Sequence, residues 1–212
     1  MTETDENADE LLVKLQSGDT AALGELFSLN RERLWRMVNF RLDQRLRGRV
    51  DADDVLQDAY LDAAQRIDHY LNHASMSFFV WLRQIVLQTM IDLHRQHLGA
   101  QMRNAAREVS LHGAAYPQAT SISLAAHLLG NLTSPSGAAM REEVSIQLEK
   151  ALDSMSEIDR EILALRHFEE LTNSEVAEVL NIQQKAASIR YVRAIARLKD
   201  ILEQVPGFFD EN

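Results

Sequence analysis

Apolar residues recur at helical spacing along most of the chain. Between residues 9 and 47 they fall three and four positions apart, and the pattern breaks once, at Ser17-Gly18-Asp19. This spacing places apolar side chains on one face of a helix, so it predicts two helices before Gly48. Arginines surround the second helix, and we interpret most of them as a solvated face. The acidic residues 1–8 are predicted to be disordered.

A third helix is predicted over residues 51–66, with Asp51 as its N-cap. Val55, Ala59 and Ala63 lie on one side of it. The opposite side carries polar residues three and four positions apart: Asp54, Gln57, Asp58 and Asp62. Carboxylates at this spacing could bind a metal, but no histidine joins them at ligand spacing. An acidic surface for a protein partner is the favoured interpretation.

A polar loop with aromatic residues at its ends is predicted over residues 67–77, and a strongly apolar helix follows it. Trp81 is most simply a core residue of that helix, whereas Arg83 and Arg95 are expected on its outer side. Aromatic and basic residues beside a polar loop also suit stacking on unpaired bases, which we keep as a second interpretation.

Residues 104–140 interrupt the helical pattern. Charge almost vanishes there, and Ser, Ala, Gly, Thr and Pro dominate. Such a composition is typical of a flexible linker, although residues 124–132 could form a short helix. A second helical unit is predicted to begin near Ala139. Within it, Ser156 is expected to cap a helix whose apolar residues face inward: Ile158, Ile162, Leu165 and Phe168.

Residues 171–199 have the pattern of a helix-turn-helix. Thr172, Asn173 and Ser174 offer N-caps for a short helix, and Asn181 tolerates the left-handed conformation that a tight turn needs. A second helix is predicted from Gln184. Its inward face has apolar residues at spacings of four, three and four: Ala187, Tyr191, Ala194 and Leu198. This arrangement indicates DNA binding, with a helical hairpin that has a solvated basic face as the alternative.

Charge separates sharply along the chain, whose 212 residues carry a net charge of −10. Residues 141–180 hold four basic and eleven acidic side chains, whereas residues 181–199 hold five basic ones and no acid. Several cations on one helix are the expected footprint of DNA binding. The acidic remainder opposes approach to phosphate, so we expect weak binding alone and stronger binding when the protein is docked on a larger partner.

Composition argues against several other classes of protein. With three prolines, eight glycines and no cysteine, the chain is predicted to be all-α and to lack a disulfide framework. The acidic N-terminus lacks the features of a signal peptide, and no apolar run approaches the ~20 residues that span a membrane. We therefore expect a cytoplasmic protein without membrane insertion. No nucleophile–base pair, phosphate loop or metal cluster is evident, so we predict no enzyme, no cofactor and no metal site.

Three segments together resemble a known family. DADDVLQDAYLDAA resembles the conserved second region of bacterial sigma factors, and FFVWLRQIVLQTMIDLHR resembles the helix that follows it. The segment from Leu152 to Lys199 resembles the family's fourth region. The resemblance implies the layout of the extracytoplasmic-function (ECF) group, two small helical domains joined by a flexible linker: residues 9–103 as region 2, 104–140 as linker, 141–203 as region 4 with the helix-turn-helix, and 204–212 as an acidic tail.

The resemblance implies a protein that binds core RNA polymerase, directs it to specific promoters and helps to melt the −10 element. The polymerase-binding residues would be Asp53, Asp54, Gln57 and Asp58. The −10 element would meet the loop from Tyr70 to Ser77 and the helix after it, through Tyr70, Asn72, His73, Ser75, Arg83 and Arg95. The −35 element would meet the last long helix, through Gln184, Lys185, Ser188, Ile189, Arg190, Val192, Arg193 and Arg197. An anti-sigma factor is kept open as a further partner.

The sequence departs from the family's usual pattern within the helix-turn-helix. Asn181 stands where the family usually has glycine, and Lys185 and Ala186 stand where it usually has glycine and threonine. Ala187 replaces a usual valine, and Ser188 replaces a common arginine or lysine. Promoter binding is still expected, but these departures leave the base preference open.

A second function class stays open beside the sigma factor. It is a stand-alone helix-turn-helix regulator that binds duplex DNA by itself. Such a regulator needs neither the acidic helix at 51–66 nor the aromatic helix at 78–95. These two segments therefore favour the sigma factor.

Overall fold

The computed structural model describes residues 3–42, 50–98, 120–130 and 138–204. The chain divides into two compact units, residues 1–116 and 117–212. Every element in the described ranges is helical, so the predicted all-α fold is confirmed. Of the predicted linker, only residues 120–130 and 138–140 are described. The other linker residues, Gly48 and residues 205–212 of the predicted tail lie outside the described residues. Among the residues that are described, no helix is long and apolar enough to cross a lipid bilayer.

The first unit packs four helices around one core in its described part. They are α1 (Glu3–Gln16), α2 (Ala21–Arg41), α3 (Ala52–His73) and α4 (Phe78–Leu98). The predicted break between the first two helices is confirmed at Gly18, whose φ of 96° is a backbone conformation that favours glycine. The centre of the core consists of side chains with no exposed surface: Leu34, Met37, Val55, Leu82 and Met90.

Two predicted boundaries are wrong in this unit. Residues 3–8 are helical rather than disordered, because acidic residues at a helix N-terminus interact favourably with the helix dipole. Helix α3 continues to His73, so most of the loop predicted at 67–77 is helical. Ile67 is buried and extends the inward stripe of α3 by one turn. Only residues 74–77 lie between α3 and α4.

The expectation that arginines face solvent is wrong at two positions. Arg41, at the end of α2, is 7% exposed, and Arg83 in α4 is 3% exposed. Helix α4 contacts both α2 and α3, so a polar residue of α4 can be enclosed between helices as well as an apolar one. Arg83 therefore lies inside the unit rather than on the outer side of its helix. A contact between Arg83 and the −10 element, as the sequence predicted, is incompatible with this position.

The second unit contains five α-helices and one π-helical turn in its described part. In order they are α5 (Ser121–Gly130), α6 (Ala138–Asp153), α7 (Glu157–Leu163), the π-helical turn Ala164–Phe168, α8 (Asn173–Leu180) and α9 (Gln184–Leu202). The predicted N-cap Ser156 is confirmed, because its hydroxyl accepts a hydrogen bond from the Asp159 N–H at 3.2 Å. Leu148, Leu152 and Ile162 are completely buried and form the centre of this core.

Helix α5 lies in the segment predicted as a flexible linker, so the predicted flexibility is wrong there, whereas the short helix kept open at 124–132 is present over Ser121–Gly130. Leu124 is 1% exposed where α5 packs on α6. The Ser121 hydroxyl donates to Asp153 Oδ1 at 2.5 Å, and the His127 ring lies edge-on to Phe168 with ring centres 5.4 Å apart. A composition without charge thus belongs here to an apolar helix that is part of the second unit.

Replacing Leu124 with alanine should loosen the second unit, because truncating a buried leucine costs about 2–5 kcal/mol. The same change at Ile122, which is 53% exposed on the same helix, should cost much less. Hydrogen exchange of backbone amides in α5 and α6, followed by mass spectrometry, compares the two variants. We expect exchange at least about 30-fold faster than in the wild type for Leu124→Ala. Equal protection in both variants would contradict the packed position of α5.

Candidate functional site

The helix-turn-helix is built by local hydrogen bonds at both ends of α8. Thr172 is the N-cap: its hydroxyl accepts from the Glu175 N–H at 3.2 Å, and the Glu175 carboxylate accepts from the Thr172 N–H at 2.7 Å. This reciprocal capping box satisfies two backbone donors that the helix itself cannot. At the other end, Asn181 adopts the predicted left-handed conformation, with φ 51° and ψ 48°. The turn then leads into α9 at Gln184, as predicted.

The π-helical turn before α8 braces this motif, and no sequence pattern predicted it. After the turn, Glu170 has a φ of 56°, and the Leu171 N–H donates to the Leu165 carbonyl at 2.8 Å. Arg166 donates to the Leu171 carbonyl oxygen, and its guanidinium lies 5.2 Å from the centre of the Tyr191 ring on α9. One arginine thus connects the π-helical turn, the entry to α8, and α9.

Helix α9 packs on the unit through small residues. Ala187 and Ala194 are each 1% exposed, and Tyr191 and Leu198 are half-buried, so the predicted inward face is confirmed. The residues predicted to meet DNA lie on the remaining sides, two of them half-buried (Ser188 and Arg190) and the others exposed: Gln184, Lys185, Ile189, Val192, Arg193 and Arg197. The helix therefore presents a solvent-facing side of mixed basic and apolar character.

Basic side chains on α9 converge on one groove. Arg190, Arg193 and Arg197 line it together with Asp159 of α7. Arg197 also donates to a backbone carbonyl at 3.0 Å. Within the described part of the chain, Lys185, Arg190 and Arg193 form no side-chain hydrogen bond or ion pair. These cations are therefore available to anions outside the protein, and phosphates of DNA are such anions.

The four residues predicted to bind polymerase are exposed on α3. Asp53 differs from the other three, because its Oδ1 lies 2.6 Å from Arg31 Nη2 of α2 and its charge is paired within the unit. Asp54, Gln57 and Asp58 make no side-chain hydrogen bond or ion pair with other described residues. We call these three residues the acidic surface.

An exposed leucine that the sequence analysis missed extends the acidic surface. Leu61 is 53% exposed, and it lies seven positions after Asp54 and three after Asp58, which is the spacing of one helix face. This spacing alone could have revealed an apolar residue on the polar side of the helix. Trp35 on α2 is 41% exposed and lies one turn from Arg31. Both side chains are apolar groups that a protein partner could cover.

Aromatic residues pack together around the loop at 74–77. Tyr70 stacks on Trp81 with ring centres 4.6 Å apart, and its hydroxyl donates to the Met76 carbonyl at 3.1 Å. The buried Phe78 completes the cluster, with its ring centre 5.7 Å from that of Tyr70. Tyr70 therefore holds the loop against α4, and it supports the candidate −10 site from within the fold.

The remaining residues predicted for the −10 element differ in their hydrogen bonds and exposure. Asn72 and His73 each bond a backbone carbonyl one turn earlier in α3, at 2.7 and 3.3 Å. Ser75 and Arg95 are exposed. The rings of His69 and His73 stack 4.8 Å apart, but among the described residues no group of three or more His, Cys, Asp or Glu could hold a metal ion. The loop thus offers hydrogen-bonding groups beside an aromatic cluster.

Two protein-family models match the chain, one in each unit. The model for Sigma-70 region 2 matches residues 26–98, and the model for Sigma-70, region 4 matches residues 151–200. Together the two matched segments make up more than half of the chain. The chain belongs to the sigma-70 family. The acidic surface and the aromatic loop lie in region 2 of this sigma factor, and the helix-turn-helix lies in region 4.

Similar proteins place this sigma factor in the ECF group. It is similar to the RNA polymerase sigma factor NccH of Alcaligenes xylosoxydans xylosoxydans, with 27% identity over 207 residues that cover 94% of this chain and 97% of NccH. It is also similar to the ECF RNA polymerase sigma factor SigW of Bacillus subtilis, with 21% identity over 207 residues, 92% of this chain and all of SigW. A solved structure of CnrH in complex with the cytosolic domain of CnrY matches 93% of this chain and 97% of CnrH, with a TM-score of 0.51 and 21% identity, and supports the fold.

Helix α5 lies outside both matched segments of this sigma factor. It nevertheless packs on α6 in the unit that contains region 4. The folded unit around region 4 is therefore larger than the part that the family model describes.

Proposed function

We propose that this sigma factor binds core RNA polymerase, directs it to specific promoters and helps to open the −10 element. The observation that supports this best is the combination of a basic helix with unpaired cations in region 4 and an exposed acidic surface in region 2. The first suits a phosphate-rich partner, whereas the second suits a basic protein. A stand-alone DNA-binding regulator would use only the first. The protein acts as a non-enzymatic subunit in the cytoplasm, where polymerase and DNA are found.

The acidic surface is proposed to dock on basic residues of the clamp helices in the largest polymerase subunit, as the family resemblance implies. Asp54 and Asp58 are exposed one turn apart and are unpaired among the described residues, so docking breaks no internal ion pair there. Asp53 would first have to leave Arg31, so we propose a smaller role for it. Leu61 adds an apolar contact at the end of the same face. Charge complementarity of this kind governs both partner choice and association rate.

Run-off transcription with purified core polymerase tests the function and the docking surface together. Wild-type protein should give promoter-specific transcripts that core polymerase alone does not. Combining Asp54→Arg with Asp58→Arg should abolish transcription and co-purification with core, because like charges would then meet. The matched variant with Asp9→Arg and Glu10→Arg, at exposed positions of α1, should retain both activities.

Each unexpected outcome has a distinct meaning. Unchanged binding by the first variant would contradict the docking surface, and equal loss in both variants would attribute the effect to net charge. Promoter-specific DNA binding that needs no core polymerase would favour the stand-alone regulator.

The loop at 74–77 is proposed to receive an unpaired base of the −10 element. Bases stack on aromatic faces, and Trp81 is half-buried beside the loop. Ser75 is exposed, and Asn72 and His73 can turn towards a base edge if they release their backbone carbonyls. Each release loses one hydrogen bond at an exposed site, about 1 kcal/mol, which a new bond to the base offsets.

Replacing Asn72, His73 and Ser75 with alanine should therefore impair promoter opening or change −10 preference. Binding to core polymerase should be unaffected, because none of the three lies on the acidic surface. Permanganate footprinting of unpaired thymines measures opening, and co-purification provides the control. A normal transcription bubble on the normal set of promoters would refute the assignment.

Region 4 is proposed to place α9 in the major groove of the −35 element. Arg193 is exposed and can make a bidentate contact with guanine, whereas Arg190 is half-buried and suits a phosphate at the edge of the groove. Lys185 and Arg197 are further phosphate contacts. Gln184 and Ser188 can serve either bases or phosphates.

Arg193→Ala should reduce promoter selectivity by about tenfold or more, since a bidentate contact with guanine is worth ~1–3 kcal/mol of discrimination. Arg190→Ala should instead weaken all promoters alike and flatten the salt dependence by about one phosphate. Transcription from a library randomised at the −35 element separates the two effects. If both substitutions weaken every sequence equally, Arg193 also binds phosphate and does not read bases.

A protein partner of the anti-sigma type is part of the same proposal. CnrH, which shares the fold, has been solved in complex with the cytosolic domain of CnrY. For this chain, an anti-sigma factor would act by covering the surfaces that core polymerase or promoter DNA needs.

A further inference from the structure

Two apolar side chains occupy the outermost positions of α9. Ile189 is 44% exposed and Val192 is 64% exposed. Successive residues of a helix are about 100° apart, so both side chains lie about 140–160° around the axis from the buried Ala187. They are three positions apart, which makes them neighbours on the helix surface. The most outward side of the candidate DNA-binding helix therefore carries an apolar pair next to the cation Lys185.

Unpaired cations flank this apolar pair. Lys185 lies one turn before Ile189 and Arg193 lies one turn after it, and neither has a partner in the part of the chain that the structure describes. A protein surface that covered the pair would also desolvate these charges, which is unfavourable unless it supplies acids at both positions. Duplex DNA supplies them, because its phosphates border the groove on both sides. The DNA that contacts Ile189 and Val192 must then offer them an apolar group inside its major groove.

Thymine carries that group, since its 5-methyl is the apolar substituent on the major-groove edges of the four bases. We propose that Ile189 and Val192 read thymine methyl groups in the −35 element. The inference rests on the proposed function, because it requires α9 to lie in the major groove. The two residues are about 4.5 Å apart along the helix axis, and base pairs are about 3.4 Å apart. Thymines are therefore expected at neighbouring or next-neighbouring base pairs.

Methyl reading adds a discrimination that the arginines cannot supply. Arginine favours guanine or phosphate, whereas an aliphatic side chain favours thymine over cytosine and over uracil, both of which lack the methyl group. Removing one methyl group's surface from water changes affinity by about fourfold. The affinity factors of two such contacts multiply if the contacts are independent.

The test uses the complex of the full chain with core polymerase, bound to a promoter selected from the randomised library. Each thymine of the −35 element is replaced singly by deoxyuridine, which deletes only the 5-methyl group. The wild type should bind about fourfold more weakly at one or two of these positions. With Ile189→Ala or Val192→Ala, the same replacement should have no further effect at the position that the lost side chain reads. The comparison variant Arg190→Ala should bind more weakly overall yet keep the full difference between thymine and uracil.

Three results would overturn the inference while the proposed function stands. They are equal binding of thymine and uracil duplexes by a selective wild type, a difference that persists in both alanine variants, and a selected element without thymines at neighbouring or next-neighbouring positions. A complex without any promoter selectivity would overturn the proposed function and the inference together. Both substituted side chains are exposed, and unchanged circular dichroism of the variants would show that they fold.

Discussion

The close packing of α9 on its unit is the constraint on which the candidate −35 surface depends. Ala187 and Ala194 are almost completely buried, and their small size lets the helix approach its neighbours. A larger residue at either position would push the helix outward or rotate it, because a packed interior has no spare volume. Arg166 reaches Tyr191 from the π-helical turn and stabilises the same interface.

Separation of charge reconciles a net charge of −10 with DNA binding. The five cations of residues 181–199 lie on one helix, and three of them line a single groove. Acidic residues elsewhere repel DNA over roughly a Debye length, about 8 Å at physiological salt, so they weaken free association more than they weaken a docked contact. In the proposed function, the acidic surface on α3 in turn attracts a basic protein. The basic helix and the acidic surface together therefore favour a protein that binds DNA as part of a larger complex.

Local interactions made much of this fold predictable. Ser156 and Thr172 cap helices through bonds that span three residues, and Asn181 adopts its conformation within a single turn, so all three were visible in the sequence. Features that depend on distant contacts were not. Arg83 is buried because α4 packs on two other helices, and the short helix allowed within the predicted linker is part of the second unit because α6 packs against it. The same holds for the candidate sites. The helix faces that carry the site residues were predicted, but the residues that pair with them inside the protein were not.

The weakness of individual contacts explains why the two units belong on one chain. A methyl contact or a single ion pair changes affinity by about a factor of four to ten, which is too little to select one promoter among many DNA sites. Once one unit is bound, however, the other reaches its site at a high effective concentration, and the separate discriminations multiply. Selectivity then depends on both elements at the correct spacing rather than on a strong contact at either. The proposed methyl reading by region 4 suits this arrangement, because it would discriminate bases without binding so tightly that it holds the polymerase at a single half-site.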